Sequence, residues 1–297
     1  VASFRENPPK LEESQKFCYC TGIRPVVVYG GANIGQQQGQ IERGADLVVA
    51  TPGRLVDLIE RGRIKLDIVQ FLVLDEADHM LDLGFIDDIR DLIRKIPRKR
   101  QNLFFSATIN KDIKRLAYSI VKNPICIRIS PNNSVAKNID HGVAYIEMDD
   151  KRYFLASFIQ KNITAKILIF VRTKIRAERV KLAMERFKID TDTLHGDKSQ
   201  EEREKAMQAF NTGIKKILIA TDISARGIDV PDIDFVINYD LPESSEIYIH
   251  RVGRTGRAGK RGTAISFCST KEKPLFDQIK WGLIGQIASI PIKKEDY

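Results

Sequence analysis

Short continuous apolar runs that end in polar motifs are the feature of this sequence that most restricts its fold. In FLVLDEADHM, four apolar residues from Phe71 to Leu74 are followed at once by Asp75, Glu76 and Asp78. Continuous rather than alternating apolar runs indicate strands that are covered on both faces, as in parallel sheets. The other such runs are RPVVVYGG, ADLVVATPGR, NLFFSAT, AKILIFVRT, KKILIATD, FVINYD and TAISFC.

Segments with helical spacing separate these runs. In FIDDIRDLIRKIP, the apolar side chains Phe85, Ile89, Leu92, Ile93 and Ile96 share one helical face. The aspartates come early and the basic residues late, which complements the helix dipole. Alternating strands and helices predict an α/β fold that binds ligands at the carboxyl ends of its strands.

The chain length and one polar segment predict two domains. A chain of 297 residues is long enough to form two hydrophobic cores. The segment SPNNSVAKNID lacks periodicity and contains turn formers, which is typical of a linker. We therefore expect domains at residues 1–129 and 141–297, a linker at 130–140, and strand ends that face one another across a ligand cleft.

Composition narrows the partners. Forty-eight Lys and Arg against thirty-nine Asp and Glu give a net charge of +9, which favours nucleic acid or a membrane surface. No apolar run approaches the roughly 20 residues of a bilayer crossing, and the first ten residues lack a signal-peptide core. We expect an intracellular protein that does not enter membranes, in the cytoplasm or alternatively the nucleus. The cysteines show no C-x-x-C pair, so we expect buried thiols rather than zinc or disulfides at Cys18, Cys20, Cys126 and Cys268.

The acidic motif has two interpretations. One carboxylate of the pair Asp75 and Glu76 could hold Mg²⁺ through water while its neighbour orients and deprotonates a nucleophilic water, as phosphate chemistry requires. A solvated turn is the alternative. The downstream Asp78, and the SAT motif from Ser106 to Thr108 after another apolar run, favour the chemical interpretation.

Two basic motifs in the second half also have two interpretations each. HRVGRTGRAG places Arg251, Arg254 and Arg257 three apart, so a helix would stack them to meet a phosphoryl group; a basic surface helix is the alternative. In ATDISARGIDV, Thr221 could contact phosphate and Asp229 a ribose hydroxyl, or the segment could be a loop with a structural glycine.

TPGR and GG complete the set of motifs. Thr51 and Pro52 suit a helix start, where Arg54 would help to hold a nucleic-acid phosphate. Gly30 and Gly31 follow a strand and allow close backbone approach of such a ligand. Helix capping and a simple turn are sufficient structural alternatives.

In this order, DEAD, SAT, TPGR, ATDISARGID and HRVGRTGRAG resemble the DEAD-box family of ATP-dependent RNA helicases. The resemblance runs from about Leu11 to Leu283. Up to about Gly62 the amino-acid sequence is most similar to eukaryotic germline Vasa-type members. From about Phe71 onward it is more similar to bacterial RhlE-type members. The resemblance implies two RecA-like parallel-sheet domains that close over ATP and RNA, single-stranded or duplex, with unwinding driven by RNA-stimulated ATP hydrolysis.

The resemblance also implies roles for individual residues. Asp75 would serve Mg²⁺ and Glu76 the attacking water, while Arg254 and Arg257 would reach the γ-phosphate. The residues that would couple ATP binding to domain closure are Asp78, Ser106, Thr108, Gly227, Asp229 and His250. The residues that would hold the RNA backbone are Gly31, Thr51, Arg54, Arg172, Gln200, Arg203 and Thr221. Protein partners are not indicated.

Three family motifs do not occur in this sequence. These are the glycine-rich phosphate loop ending in G-K-T, an upstream glutamine motif and a P-T-R-E-L segment. Because the loop cradles the β and γ phosphates, we expect impaired hydrolysis and an N-terminally incomplete first domain, whether by truncation, as a fragment or by degeneration. We also expect an unpaired edge on the NLFFSAT strand. Three functions stay open: an RNA-dependent ATPase, a nonenzymatic RNA-binding module, and a regulator that docks on complete helicases.

Overall fold

In the computed structural model, the described residues are 11–82, 84–106, 111–121, 123–127, 138–225, 230, 232–257, 259–281, 283 and 287–291. The chain divides into two compact units, Val1–Asn132 and Asn133–Tyr297. This division falls inside the segment 130–140, and the first strand of the second unit already begins at Ile139.

The second unit is built on one parallel sheet of seven described strands. Their order is β11-β5-β10-β9-β6-β8-β7, with every described pair parallel. The strands are β5 Ile139–Tyr145, β6 Ile167–Val171, β7 Asp192–Leu194, β8 Ile217–Thr221, β9 Phe235–Asn238, β10 Gly262–Cys268 and β11 Ala288–Ser289. The helices are α7 Lys151–Lys161, α8 Lys174–Arg186, α9 Gln200–Asn211, α10 Asp222–Ala225, α11 Ser245–Val252 and α12 Lys273–Trp281, with a 3-10 turn at Thr270–Glu272.

Strand β6 explains why an uninterrupted apolar run is needed at the centre of this sheet. All five of its residues are buried. Ile167 and Ile169 belong to one apolar cluster, whereas Leu168 and Phe170 belong to another. Because successive strand residues point to opposite faces, the alternation means that both faces of β6 are covered.

The first unit contains two separate pairs of parallel strands among its described residues. Strand β1 pairs with β2, and β3 with β4. One apolar cluster takes Val28 from the first pair, Leu74 from the second, and Leu58 and Ile89 from helices. The strands are β1 Pro25–Val28, β2 Leu47–Ala50, β3 Phe71–Leu74 and β4 Gln101–Phe104. The helices are α1 Leu11–Cys18, α2 Ile34–Glu42, α3 Pro52–Glu60, α4 Ala77–Asp82, α5 Ile86–Lys95 and α6 Lys111–Ile120.

The α/β prediction is confirmed, and each of the eight apolar runs contains a strand. Helix α5 lies within FIDDIRDLIRKIP and buries Ile89 and Leu92, as its pattern predicts. The expected open edge is also present, since β4 pairs only with β3 in the described part of the chain.

The prediction for the thiols is only half right. Cys18 and Cys268 are buried, but Cys20 and Cys126 are exposed because they lie in irregular segments outside any core. None of the helices described for this chain combines the length and apolar composition that a membrane crossing demands.

Candidate functional site

The acidic motif follows directly after β3. Asp75 is exposed, and its Oδ1 accepts a hydrogen bond of 2.9 Å from the Glu76 amide. Glu76 has φ +49°, a left-handed conformation that costs a non-glycine residue about 1–2 kcal/mol. Two backbone bonds hold the turn: Met80 N donates to Glu76 O (3.1 Å) and Ala77 N to Phe105 O (3.1 Å). The turn is therefore fixed by α4 on one side and by the neighbouring strand segment on the other.

The SAT segment begins at the same end of the sheet. Leu74 lies opposite Phe104 in the parallel register, and Phe105 N donates to Leu74 O at 2.8 Å. Ser106 thus follows β4 just as Asp75 follows β3. Asp78, in the first turn of α4, is only 5% exposed. The structure therefore groups the acidic turn with the start of SAT.

The acidic turn has the donor chemistry for a hydrated Mg²⁺. The exposed carboxylate of Asp75 offers the hard oxygen ligand that Mg²⁺ prefers, and this cation keeps several waters when protein ligands are few. Within the described residues, no group of three or more His, Cys, Asp or Glu side chains could form a complete metal cage. A cation at this turn would thus depend on Asp75, water and a bound phosphate.

GG and TPGR form one hydrogen-bonded unit. Gly31 has φ +86°, a conformation that glycine adopts at little cost. Arg54 Nη1, on α3, donates to Ala32 O (3.1 Å) and to Gln37 Oε1 (2.9 Å). Gln37 is buried on α2 and donates through Nε2 to Tyr29 O at 3.1 Å. The arginine and the glutamine thereby fix the loop after β1 against both helices.

Thr51 occupies the N-cap position of α3, with Pro52 at the first turn. Its side chain makes no capping hydrogen bond, and the residue is 4% exposed. The capping alternative is therefore not realised through the hydroxyl. Its backbone instead links β1 to α3, because Thr51 N donates to Val28 O (3.0 Å) and Thr51 O accepts from Leu55 N (3.0 Å).

The predicted stack of three arginines on one helix is wrong. Helix α11 ends at Val252 with Gly253 as its C-cap, so Arg254 and Arg257 lie in the following loop. Gly256, at φ +67°, turns the chain away from any helical continuation. Arg254 Nε donates to His250 O (3.2 Å), and Arg257 Nε to Gly253 O (3.0 Å). Arg254 is thus placed by the backbone of α11, and Arg257 by the backbone at Gly253 directly after it. His250 lies in the last turn of α11.

The first arginine of the motif has a different environment. Arg251 is 2% exposed, and its guanidinium forms a bidentate pair with Asp222 at 2.5 and 2.8 Å. Its Nη1 also donates to Asn238 Oδ1 (3.1 Å) and Asp240 O (2.7 Å). The group lies 5.1 Å above the ring of Phe170. Arg251 therefore anchors α11 to the carboxyl ends of β8 and β9.

The ends of β6 and β8 hold two of the candidate RNA contacts. Arg172 is exposed; its amide donates to Asp240 Oδ2 (3.0 Å) and its Nη2 to Leu241 O (3.4 Å). Arg176 pairs with the other oxygen of the Asp240 carboxylate at 3.2 Å. Thr221, the last residue of β8, donates to Ser224 Oγ at 3.2 Å. The Asp240 carboxylate thus fixes the backbone at Arg172 by accepting a hydrogen bond from the Arg172 amide.

Gln200 and Arg203 lie on the first turn of α9, three residues apart as predicted. The helix starts with a capping box between Ser199 and Glu202. Gln200 Nε2 donates to Glu204 Oε1 at 2.9 Å.

A cluster of hydrogen-bonded side chains, buried at Thr193 and His195 but half-exposed at Glu178, precedes α9 in the chain. His195 Nε2 lies 2.7 Å from Glu178 Oε1, which also accepts from Thr193 Oγ1 at 2.7 Å. Burial acts to raise the pKa of Glu178, but these hydrogen bonds and nearby Lys198 outweigh it and lower the pKa. A charged Glu178 therefore fixes the end of β7 against α8.

Three predicted site residues, Thr108, Gly227 and Asp229, lie outside the described residues. Conversely, Gln37 and Arg251 have structural roles that the sequence did not indicate. Polar residues at buried helix positions are a signal that could have found them, but burial depends on partners 17 and 29 residues away.

Comparisons with known proteins agree on one family. Residues 10–116 match the model described as DEAD/DEAH box helicase, and residues 150–259 match the helicase conserved C-terminal domain. The structure is similar to S. cerevisiae Dbp5 bound to RNA and ADP BeF3, with 30% identity and a TM-score of 0.84 over 95% of this chain and 73% of that chain.

Two further solved structures are similar. A DEAD box protein from the hyperthermophile Methanococcus jannaschii is 34% identical, with a TM-score of 0.51 over 91% of this chain and 72% of that chain. DEAD-box helicase Mss116 bound to ssRNA and UDP-BeF is 28% identical, with a TM-score of 0.79 over 92% of this chain and 59% of that chain. With its two units as RecA-like parallel-sheet domains, this chain belongs to the DEAD-box helicase family.

Proposed function

We propose that this chain is an ATP-dependent RNA helicase core in which RNA stimulates ATP hydrolysis and hydrolysis drives local duplex unwinding. The observation that carries the proposal is the strained acidic turn at the end of β3, next to Ser106. The RNA and ADP BeF3 bound in the similar Dbp5 structure support RNA and an adenine nucleotide as ligands of this chain.

In this proposal the first unit supplies the hydrolytic carboxylates. Asp75 holds a hydrated Mg²⁺, which when bound would neutralise charge on the phosphate oxygens. Glu76 accepts a proton from the attacking water and orients it. The fixed left-handed turn at Glu76 supports this role, because strained backbone is retained where the surroundings enforce it and is frequent at functional sites.

The second unit supplies the cationic groups. Arg254 and Arg257 stabilise the charge that accumulates on the γ-phosphate, where guanidinium groups form charge-assisted hydrogen bonds. Their hydrogen bonds to the backbone carbonyls of His250 and Gly253 support a fixed orientation before substrate binds. The residues that we propose to couple ATP to RNA are Asp78, Ser106, Thr108, Gly227, Asp229 and His250.

RNA would be held through its sugar-phosphate backbone, with little sequence preference and strong salt dependence. The loop after β1 contains Gly31 and is held by the Arg54 side chain. This supports the role, because a loop that is already fixed offers its backbone amides to RNA without further loss of conformational entropy. The proposed RNA contacts are Gly31, Thr51, Arg54, Arg172, Gln200, Arg203 and Thr221.

A second candidate function is RNA binding without turnover. It is favoured by the ordering of two candidate RNA contacts, Arg54 by Ala32 and Gln37 and Arg172 by Asp240, because binding through the RNA backbone does not need the β and γ phosphates of ATP.

Phosphate release, measured by malachite green with and without RNA, separates the two candidates. The helicase proposal predicts RNA-stimulated release that Glu76→Gln abolishes while RNA affinity is retained. Salt-sensitive RNA binding with no release would instead support the binding module. Absence of RNA binding at low salt would contradict both.

A further inference from the structure

The loop after α11, in its described residues 253–257 and 259–261, is held by contacts from distant parts of the second unit; we call these residues the arginine loop. Thr255 is 2% exposed and its hydroxyl donates to Ile233 O. Lys260 N donates to Arg257 O at 3.1 Å. The path of the backbone around Arg257 is therefore set by a few specific hydrogen bonds rather than by regular secondary structure.

Asn138 makes the most distant of these contacts. Its Nδ2 donates to Gly256 O and to Lys260 O, the latter at 3.0 Å, across 118 and 122 residues of sequence. Its own carbonyl accepts from Gly262 N at 3.1 Å. One side chain thus satisfies a carbonyl on each side of Arg257, and its backbone adds the first bond of the β5–β10 pairing.

The contact is close as well as polar. Gly256 lies so near the start of β5 that an added Cβ would stand 2.7 Å from Ile139 Cγ1 and 3.2 Å from Asn138 Nδ2. With φ +67°, Gly256 is also the position where the loop turns back on itself. The loop and residues 138–139 therefore fit together as one packed piece.

We propose that Asn138 is a positioning residue for Arg257. By holding the carbonyls of Gly256 and Lys260, it fixes the short span of backbone from which the Arg257 guanidinium projects. This inference rests on the proposed function, in which Arg257 acts on phosphate. It adds a residue from the segment 130–140 to those that govern the reaction, and none of the motifs described above includes it.

The direct test measures amide hydrogen exchange of the full chain. In Asn138→Ala, the amides of Lys260 and Gly262 should exchange at least about tenfold faster than in the unmodified chain, because their local structure loses its anchor. Asn162→Ala is the matched control, since Asn162 Nδ2 also donates to one backbone carbonyl, that of Phe158 at 2.9 Å. It should leave the arginine loop unchanged.

Asn138→Asp keeps the volume but presents a carboxylate to the two carbonyls. It should accelerate loop exchange at least as much as Asn138→Ala, because two acceptors then face each other. The amides of β6 report whether either variant unfolds the second unit as a whole. Unchanged loop exchange in a variant whose β6 stays protected would overturn the proposal.

Kinetics distinguish positioning from loop stability alone. Asn138→Ala should lower the RNA-stimulated kcat about tenfold, with the KM for ATP and the Kd for RNA within about twofold of the unmodified chain. Faster loop exchange with an unaltered kcat would refute the positioning role but leave the proposed function standing. No turnover in the unmodified chain would refute the proposed function, while exchange would still decide whether Asn138 anchors the loop.

Discussion

Arg251 shows how a single buried side chain organises the polar end of the second unit. It is closed in by Asp222, Asn238 and the ring of Phe170, and Asn238 in turn donates to Ser266 Oγ at 3.1 Å. A buried charge is tolerated only when it is paired and hydrogen-bonded. The Arg251 guanidinium meets this condition through its pair with Asp222 and its hydrogen bond to Asn238.

We predict that Arg251→Ala lowers the free energy of unfolding of the second unit by about 3–5 kcal/mol, because Asp222 loses its partner in a partly buried site. The check is a urea titration in which hydrogen exchange of the β6 amides reports the second unit. Arg186→Ala, at an exposed position at the end of α8, should change the same quantity by less than about 0.5 kcal/mol. Similar small effects of both variants would contradict the prediction.

Two glycines of the arginine loop separate backbone strain from steric contact. Gly256 and Gly259 both have positive φ, +67° and +79°, but only Gly256 has neighbours within 4 Å of an added Cβ. Gly259→Ala should therefore cost about 1–2 kcal/mol of stability, and Gly256→Ala more, because Ile139 must also move. Thermal unfolding of the two variants makes the comparison. Equal losses would show that the close packing at Ile139 has no energetic weight.

His141 makes stability depend on pH. Burial lowers its pKa to about 4, although Asp140 acts in the opposite direction, and its Nδ1 lies 2.9 Å from the Tyr248 hydroxyl. Because the unfolded histidine takes up its proton near pH 6.5, this contribution is complete above pH 6.5 and is lost as pH falls towards 4. The fall in Tm from pH 7 to pH 5 should be smaller in His141→Gln. An equal fall would contradict the prediction.

Among the elements, the β3–β4 pair is unusual because one of its faces is open. Parallel strands are normally covered on both faces. Here Leu72 and Leu74 are buried, but on the other face Phe71, Leu103 and Phe105 are 62%, 37% and 52% exposed. Apolar surface beside a strand edge favours association.

We therefore predict concentration-dependent self-association that Leu103→Lys reduces, as measured by sedimentation velocity. Tyr118→Lys is the control, since Tyr118 is 65% exposed and lies on helix α6 rather than on a strand. A lysine on the open face should disfavour contact because it would have to be desolvated. Equal effects of the two substitutions would show that the face is not responsible.

The sequence predicted strands better than it predicted helix ends. The eight apolar runs were sufficient to predict eight strands, because burial on both faces of a sheet demands continuous apolar residues. Strand β7, DTL, and strand β5, IDHGVAY, lack such runs and were not predicted; β5 is held in the sheet by its neighbours β10 and β11. The three-residue arginine spacing predicted a helix, but Gly253 ends α11 before the second arginine.

For the molecule as a whole, the position of the candidate site was predictable where its residues form one contiguous motif. Because the acidic turn directly follows β3, its location could be predicted from residues 71–78. Sequence patterns could not predict the roles of Gln37, Arg251 and Asn138, because their contacts join positions 17 to 122 residues apart in the chain. Local patterns identify reactive groups, whereas the residues that hold them depend on the complete fold.

The proposed function requires that the carboxylates of the first unit and the arginines of the second act on the same triphosphate. If so, Glu76→Gln and Arg257→Ala belong to one catalytic unit, and their effects on kcat should not multiply. Arg257→Ala should spare most of the RNA affinity, because its target is phosphate on ATP.

The decisive measurement is a double-mutant cycle on RNA-stimulated phosphate release. We predict that each single variant lowers kcat strongly and that the double variant is no slower than the slower single variant. Effects that multiply, or an Arg257→Ala variant that loses RNA binding instead of turnover, would contradict the account.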